Sequence, residues 1–181
     1  MSKYEMTQDN FNEDVKDHKL EVICDQGVCR TLKCSKGGSF HYGFYVTTWP
    51  GYLCISGDMG SWVFSRLPDM FEFFRGDKIN VDYWAEKLQN GANGHRQSGM
   101  EFDRDVFVEG ILSRYTFEDK DEHRRELECL EFDHEIADYA ISHMDMDGCD
   151  LPESKEFVPQ LIWCMYAIQW AIKQYNAAKG E

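Results

Sequence analysis

The sequence predicts an α+β protein, in which an N-terminal antiparallel β-sheet, built as a meander, is followed by about five helices packed against it. Three observations point there. Up to Arg66, apolar and polar residues alternate between short turn-forming stretches, which is the period of a strand. Beyond Leu67 the apolar residues recur at intervals of three and four, which is the period of a helix. The last such stretch, about Glu156 to Ala178, is apolar almost all round, which places it inside a core rather than at its edge.

Taken in order, residues 1–18 carry scattered apolar positions (Tyr4, Met6, Phe11, Val15) that fit either a weak amphipathic helix or a loose arm. From 19 onward a single α+β domain is expected, with the sheet over 19–66 and the helical part over 67–181. Leu20, Val22 and Cys24 alternate with polar residues, Asp25-Gln26-Gly27 supplies a turn, and Val28 to Cys34 reads as the second arm of a hairpin. Phe40 to Trp49 is rich in aromatic and β-branched residues, Pro50-Gly51 fits the middle of a type II turn, and Tyr52 to Ser56 returns as a strand. Gly57-Asp58-Met59-Gly60 turns the chain once more into Ser61 to Ser65. Pro68, Asp69 and Glu72 open a helix that Gly76 stops; Asp82 to Gln89 and Asp103 to Tyr115 are two more, separated by the break Asn90 to Gly94. Leu127, Leu130, Ile136, Tyr139 and Ala140 give the next segment one buried helical stripe under an acidic outer face.

Charge is the most uneven property of the chain. The formal net charge is -14, and Glu118 to Glu153 alone holds fourteen carboxylates against three cations, Lys120, Arg124 and Arg125. Such a field attracts cationic surfaces and repels nucleic acid, so direct DNA or RNA binding is not expected. No run of eighteen apolar residues exists and the N-terminus is polar, so no membrane span, signal peptide or transit peptide is expected. Seven cysteines without a secretory signal favour free thiols in a reducing cytoplasm.

Candidate chemistry is sparse. Cys24, Cys29 and Cys34 recur every five residues, whereas zinc sites pair cysteines across a tight turn, and no metal or cofactor is expected. Around Asp145, Asp147, Gly148 and Asp150 a calcium loop would need an acid at His143 and a glutamate at Ser154; the stretch reads instead as an acidic inter-helix turn. His41, His95, His123, His134 and His143 have no nucleophile motif or metal spacing around them and read as surface residues. Walker, dinucleotide-binding and nucleophile-elbow motifs are absent from the sequence.

The densest local signature runs from Thr47 to Arg66, with Trp49, Trp62 and Phe64 expected in the core and Asp58, Arg66 and exposed aromatics as an alternative surface. This stretch contains T-W-P-G-x-L-x-I-x-G-D-M-G and continues through Leu67 to Arg75 and Asp82 to Lys87. From about residue 20 to 115 the chain resembles a group of small phage and prophage proteins of uncharacterised function. That resemblance carries over no site residues; it implies a phage-encoded protein made in the cytoplasm of a bacterial host.

The function expected from these readings is non-catalytic binding. Regularly spaced carboxylates replace phosphates at Lys and Arg sites, so the acidic face is expected to occupy the basic surface of a host protein. A nucleic-acid-binding defence complex has such a surface, and the protein would act as an anti-CRISPR or restriction inhibitor does. The residues expected to meet the partner are Glu118, Asp119, Asp121, Glu122, Glu126, Glu128, Glu131, Asp133, Glu135 and Asp138, together with Asp58, Trp62 and Arg66. Two rival readings stand beside this one. One is an enzyme acting on a nucleotide or protein, with Asp58, His95 and Arg96 as its polar set; the other is an accessory or assembly protein with an aromatic interaction surface.

Overall fold

The computed structural model describes residues 6–89, 99–115 and 119–180. The architecture is α+β, with a five-stranded antiparallel sheet, and the chain divides into two compact units: residues 1–99 with 158–181, and residues 100–157. The segments 90–94 and 1–5, Tyr4 included, lie outside the described residues.

The first unit opens with helix α1 (Gln8–Val15), whose Thr7 hydroxyl accepts the Asn10 N–H at 3.3 Å as an N-cap. Phe11 and Val15, four apart and nearly inaccessible, form its inner face, so this part of the N-terminal segment is a docked helix rather than an arm. The strands β1 (Lys19–Gln26), β2 (Cys29–Ser35), β3 (Phe44–Trp49), β4 (Tyr52–Gly57) and β5 (Gly60–Ser65) follow as a meander in sequence order. Leu32, Val46, Leu53, Ile55 and Phe64 line its buried face. At the β3–β4 turn Gly51 takes the φ of +85° that the third residue of a type II turn requires. Gly57 is needed for a different reason: a Cβ there would sit 2.2 Å from the Gly43 carbonyl oxygen.

Several expectations are corrected in detail. The strand predicted from Phe40 begins at Phe44, because residues 40–43 close a turn in which Gly43 N–H donates to the Phe40 carbonyl at 2.7 Å. Trp49 is not a core residue; it is 39% exposed at the β3–β4 tip and stacks on Tyr52. Strand β1 pairs with β2 as the expected hairpin and forms one edge of the sheet. Its Val22 and Ile23 are exposed, and the pairing slips between Val22 and Cys24 as a bulge, a feature that discourages edge-to-edge pairing. The β5 edge is covered: Ser65 N–H donates to the Lys87 carbonyl and Gln89 N–H to the Val63 carbonyl.

Helices α2 (Met70–Phe74) and α3 (Val81–Ala85) are shorter than predicted, and α7 (Pro159–Lys179) returns after the second unit to complete the core. Among the described residues of α7, ten side chains are buried. Trp163 is central among them: its ring meets Phe11 at 5.1 Å, Phe44 at 5.6 Å and Tyr42 at 5.9 Å, and its N–H donates to Asp14 at 2.9 Å. The far end is tied down by the Tyr175 hydroxyl donating to Asp25 at 2.9 Å and by Lys179 on the same carboxylate. Between these ends Arg30 forks onto Asp69, two bonds of 2.9 Å, and lies over the Phe71 ring at 4.5 Å. Asp69 in turn caps α2 through Phe71 N–H.

The second unit starts and ends with paired strands, β6 (Met100–Phe102) and β7 (Lys155–Phe157). Between them lie α4 (Arg104–Arg114), α5 (Lys120–Cys129) and α6 (Asp133–His143). Their shared core is Phe107, Val108, Ile111, Leu112, Leu127, Ile136, Ala140 and Met144.

Trp163→Ala should cost about 3–5 kcal/mol in urea unfolding, because the ring is fully buried. Trp170 is only half-buried, so Trp170→Ala should cost about 1–2 kcal/mol. The Arg30–Asp69 pair also predicts a pH dependence. Burial pushes the Asp69 carboxyl up, but the Arg30 fork and the Phe71 N–H outweigh it and hold the group below its ordinary value. A carboxyl depressed in the folded state adds stability above its unfolded pKa and loses it as pH falls. Stability should therefore decline below about pH 4, and Asp69→Asn should flatten that decline in unfolding curves from pH 7 to 2.

Candidate partner-binding surface

The acidic stretch folds as two helices, where one continuous stripe was expected, and the break at residues 130–132 has a specific cause. Arg104, at the start of α4, donates from Nε to the Leu130 carbonyl at 2.9 Å and from a terminal nitrogen to the Glu128 carbonyl at 2.5 Å. Helix α5 has no cation of its own in its last turn, so Arg104 satisfies the carbonyls and opposes the negative helix end from a distance in sequence. Past the break, Glu135 reaches back to the N–H groups of Glu131 and Phe132, both at 3.4 Å, as the acidic half of a capping box.

The outer surfaces follow from how little of these helices is apolar. Leu127 is the buried residue of α5; Ile136 and Ala140 are those of α6. Asp119, Asp121, Glu122, Glu126, Glu128, Glu131, Asp133 and Asp138 are exposed and Glu135 is half-buried, while Glu118 lies outside the described residues. These carboxylates do not all have the same freedom. Arg124 forks onto Glu109, holding that carboxyl below its ordinary value, and stands 3.8 Å from Glu128. Asp133 accepts the His134 N–H at 2.8 Å. By contrast Asp119, Asp121, Glu122 and Glu126 line one shallow depression together with Arg125. Among the described residues, the side chains of these four acids make no hydrogen bond or ion pair.

Beneath this rim runs a feature the sequence reading passed over. His123, expected to be a surface residue, is half-buried between two tyrosines: Nε2 is 3.1 Å from the Tyr115 hydroxyl and Nδ1 3.0 Å from that of Tyr139. Burial pushes the Tyr139 phenol up, and the charges of Glu126 and Glu122 push it further in the same direction. The phenol thus stays protonated and ties α6 to α5. The available signal was the apolar stripe itself, since Tyr139 lies three residues from Ile136 and His123 four from Leu127.

Asp58, Trp62 and Arg66 belong to the first unit. The Asp58 carboxylate accepts the Tyr42 N–H at 2.9 Å and lies 3.5 Å from His41, fixing a backbone whose φ at Tyr42 is +55°. Asp58 is therefore a structural anchor of the turn as well as a half-exposed acid. Trp62 is half-buried toward Cys164, whose thiol burial pushes up to about 12 against a smaller opposing contribution from Trp62. Arg66 is exposed. Of the alternative polar set, His95 and Arg96 lie outside the described residues.

All seven cysteines are free thiols. Among the described residues no group of three or more His, Cys, Asp or Glu side chains is placed to hold a metal ion. In the candidate calcium loop Asp147 instead caps a short 3-10 turn, Gly148–Asp150, through the Cys149 N–H at 3.3 Å. No helix of the described residues is long and apolar enough to cross a membrane. No family model, curated protein or solved structure matches this chain.

Arg104→Ala should cost about 1.5–3 kcal/mol, the usual worth of hydrogen bonds to a charged group, with the loss read in unfolding of the full chain. Amide exchange should report it locally, rising at Leu130 to Asp133 before it rises in the sheet.

Proposed function

We infer that the protein is a non-catalytic binding protein whose α5–α6 surface docks on a basic patch of another protein. The observation carrying this is the depression lined by Asp119, Asp121, Glu122 and Glu126, four carboxylates whose side chains make no hydrogen bond or ion pair among the described residues. Carboxylates of this kind can take the place of phosphates at Lys and Arg side chains, and their summed field steers such a surface from a distance. Taken with the resemblance to phage and prophage proteins, the reading is an inhibitor that occupies the nucleic-acid site of a host defence complex, as an anti-CRISPR or restriction inhibitor does.

The exposed tip of the sheet supports a second reading. Trp49 and Tyr52, 39% and 38% exposed, stack at 5.4 Å with only 13° between their rings. Gly51 N–H donates to the Pro68 carbonyl at 3.0 Å and holds the tip in place. Rigid aromatic pairs of this kind serve as anchors in protein interfaces, which suits an assembly role.

The two readings separate in one experiment. Proteins captured from a bacterial lysate are identified for the wild type, for Asp121→Lys/Glu122→Lys/Glu126→Lys, and for Trp49→Ala/Tyr52→Ala. The acidic reading expects the triple reversal alone to lose the partner, and expects weaker wild-type binding as salt rises from about 50 to 500 mM, through a screening length near 10 Å at 0.1 M. Unchanged capture by the triple reversal would overturn it, and loss only in the aromatic variant would favour the assembly reading.

A further inference from the structure

Leu32, Val46, Leu53, Ile55 and Phe64 occupy one face of the five-stranded sheet, and because side chains alternate along a strand, the residues between them point to the other face. The pairing register sorts these outer residues into rows that cross the strands. The central row is Cys24, Thr31, Thr47, Cys54 and Val63. On one side of it run Glu21, Lys33, Tyr45, Ser56 and Ser61; on the other run Trp49, Tyr52 and Ser65, next to the pair Gln26 and Cys29. None of these residues is buried. In a chain with a formal net charge of -14, the face is nearly without charge, since Glu21 and Lys33 are its two ionic groups and stand 3.5 Å apart as a pair. Its large side chains are aromatic and gather at the two ends of β3: Trp49 stacks on Tyr52 at 5.4 Å, and Tyr45 meets the exposed Phe40 at 5.7 Å. Between these ends the central row holds nothing larger than valine. Few charges together with many aromatic rings is the composition of an interface centre, not of a solvated sheet.

The face is complementary to itself. Half a turn about an axis along the central row brings Trp49 of one chain against Tyr45 of the other at both ends of β3, and the small central row leaves room for those rings to turn inward. The same operation sets Glu21 and Lys33 against Gln26 and Cys29, so no like charges meet. Two chains of strongly negative charge repel one another, and contact through a face without net charge adds nothing to that repulsion. Size is also sufficient. Five strands about 4.8 Å apart and rows about 6.6 Å apart give about 400–500 Å² per chain, or about 1,000 Å² for two, the lower limit of a specific interface. The bulge in β1 discourages pairing through the edge, which leaves the face as the contact.

We propose that the outer face of the sheet is the interface of a reversible homodimer, in which two sheets pack face to face with their strands aligned to within about 30°. The proposal rests on the assembly reading in using the Trp49–Tyr52 pair, and it names a second copy of this chain as the partner there. It is independent of the acidic surface.

Sedimentation of the full chain from about 1 to 500 μM, which covers weak and moderate association, should show one chain giving way to two. Raising salt from about 50 to 500 mM should strengthen the dimer, because it screens the repulsion between two acidic chains; docking of the acidic surface on a basic partner has the opposite salt dependence. Thr47→Lys puts a charge at the centre of the face and should weaken the dimer at least about tenfold while leaving the circular dichroism spectrum unchanged. The cysteines of the wild type give a second readout. Alkylation of Cys54 should slow as protein concentration rises, while that of Cys129 and Cys149, exposed in the second unit, should not; if Thr47→Lys misfolds, this measurement decides. A single chain at every concentration, a dimer that a folded Thr47→Lys leaves intact, or protection of Cys129 and Cys149 in place of Cys54 overturns the proposal. The assembly reading fails separately: a dimer whose Trp49→Ala/Tyr52→Ala variant captures the same lysate proteins as the wild type keeps the proposal and removes the foreign partner.

Discussion

The buried indole of Trp163 is the constraint on which the first unit depends. A ring this large is stable inside only if its faces are covered and its N–H has an acceptor. Asp14 supplies the acceptor from 149 residues away in sequence, which draws α1 onto α7 and orders the N-terminal segment. Phe11, Tyr42 and Phe44 supply the faces, so helix, turn and sheet converge on one side chain. The left-handed backbone at Tyr42, braced by Asp58, follows from this requirement, since it presents that ring to the indole. Asp58 is thereby explained by packing first, whatever else its exposed edge meets.

The second unit meets the opposite problem. Its core is small and α5 contributes Leu127 as its buried residue, while like charges on its surface repel one another. Small domains bury proportionally less surface, so polar cross-links carry more of the burden of holding them together. Arg104 joins α4 to the end of α5, Arg124 joins α5 to Glu109 on α4, and His123 joins α5 to α6 through Tyr139. None of these links consumes Asp119, Asp121, Glu122 or Glu126.

Much of the fold was legible because it rests on local signals. Alternation before Leu67, the Pro50-Gly51 turn and the apolar last helix lead directly to the meander and to α7. What was not legible depended on partners distant in sequence. The acidic stretch reads as one stripe because nothing inside it stops a helix; the break comes from Arg104, 24 and 26 residues upstream of the carbonyls it binds. Trp49 has the composition of a core residue but sits at the last position before a tight turn, where its ring stacks on Tyr52. The strands β6 and β7 are three residues each and exist only through each other, so no window of sequence contains their reason. The acidic face itself was visible as charge, but the distinction between committed and free carboxylates needed the positions of Arg124 and Glu109.

The placement of cations explains why the acidic surface keeps its field. A surface built only for solubility functions with both signs interspersed. The acidic stretch contains Lys120, Arg124 and Arg125, and the best-anchored of them, Arg124, is turned onto Glu109 and Glu128. Arg104, which could neutralise acids across the α5–α6 turn, places two of its bonds on main-chain carbonyls and the other on Asp105. Elsewhere Arg30 is fixed on Asp69 and Lys179 on Asp25. Much of the positive charge is thus drawn into caps and anchors that hold the fold, while Arg125 shares the depression with the four carboxylates, which outnumber it and keep the rim negative. Because such exposed charges act through their sum and over roughly a screening length, the surface is suited to attracting a large basic partner more than to gripping any single group.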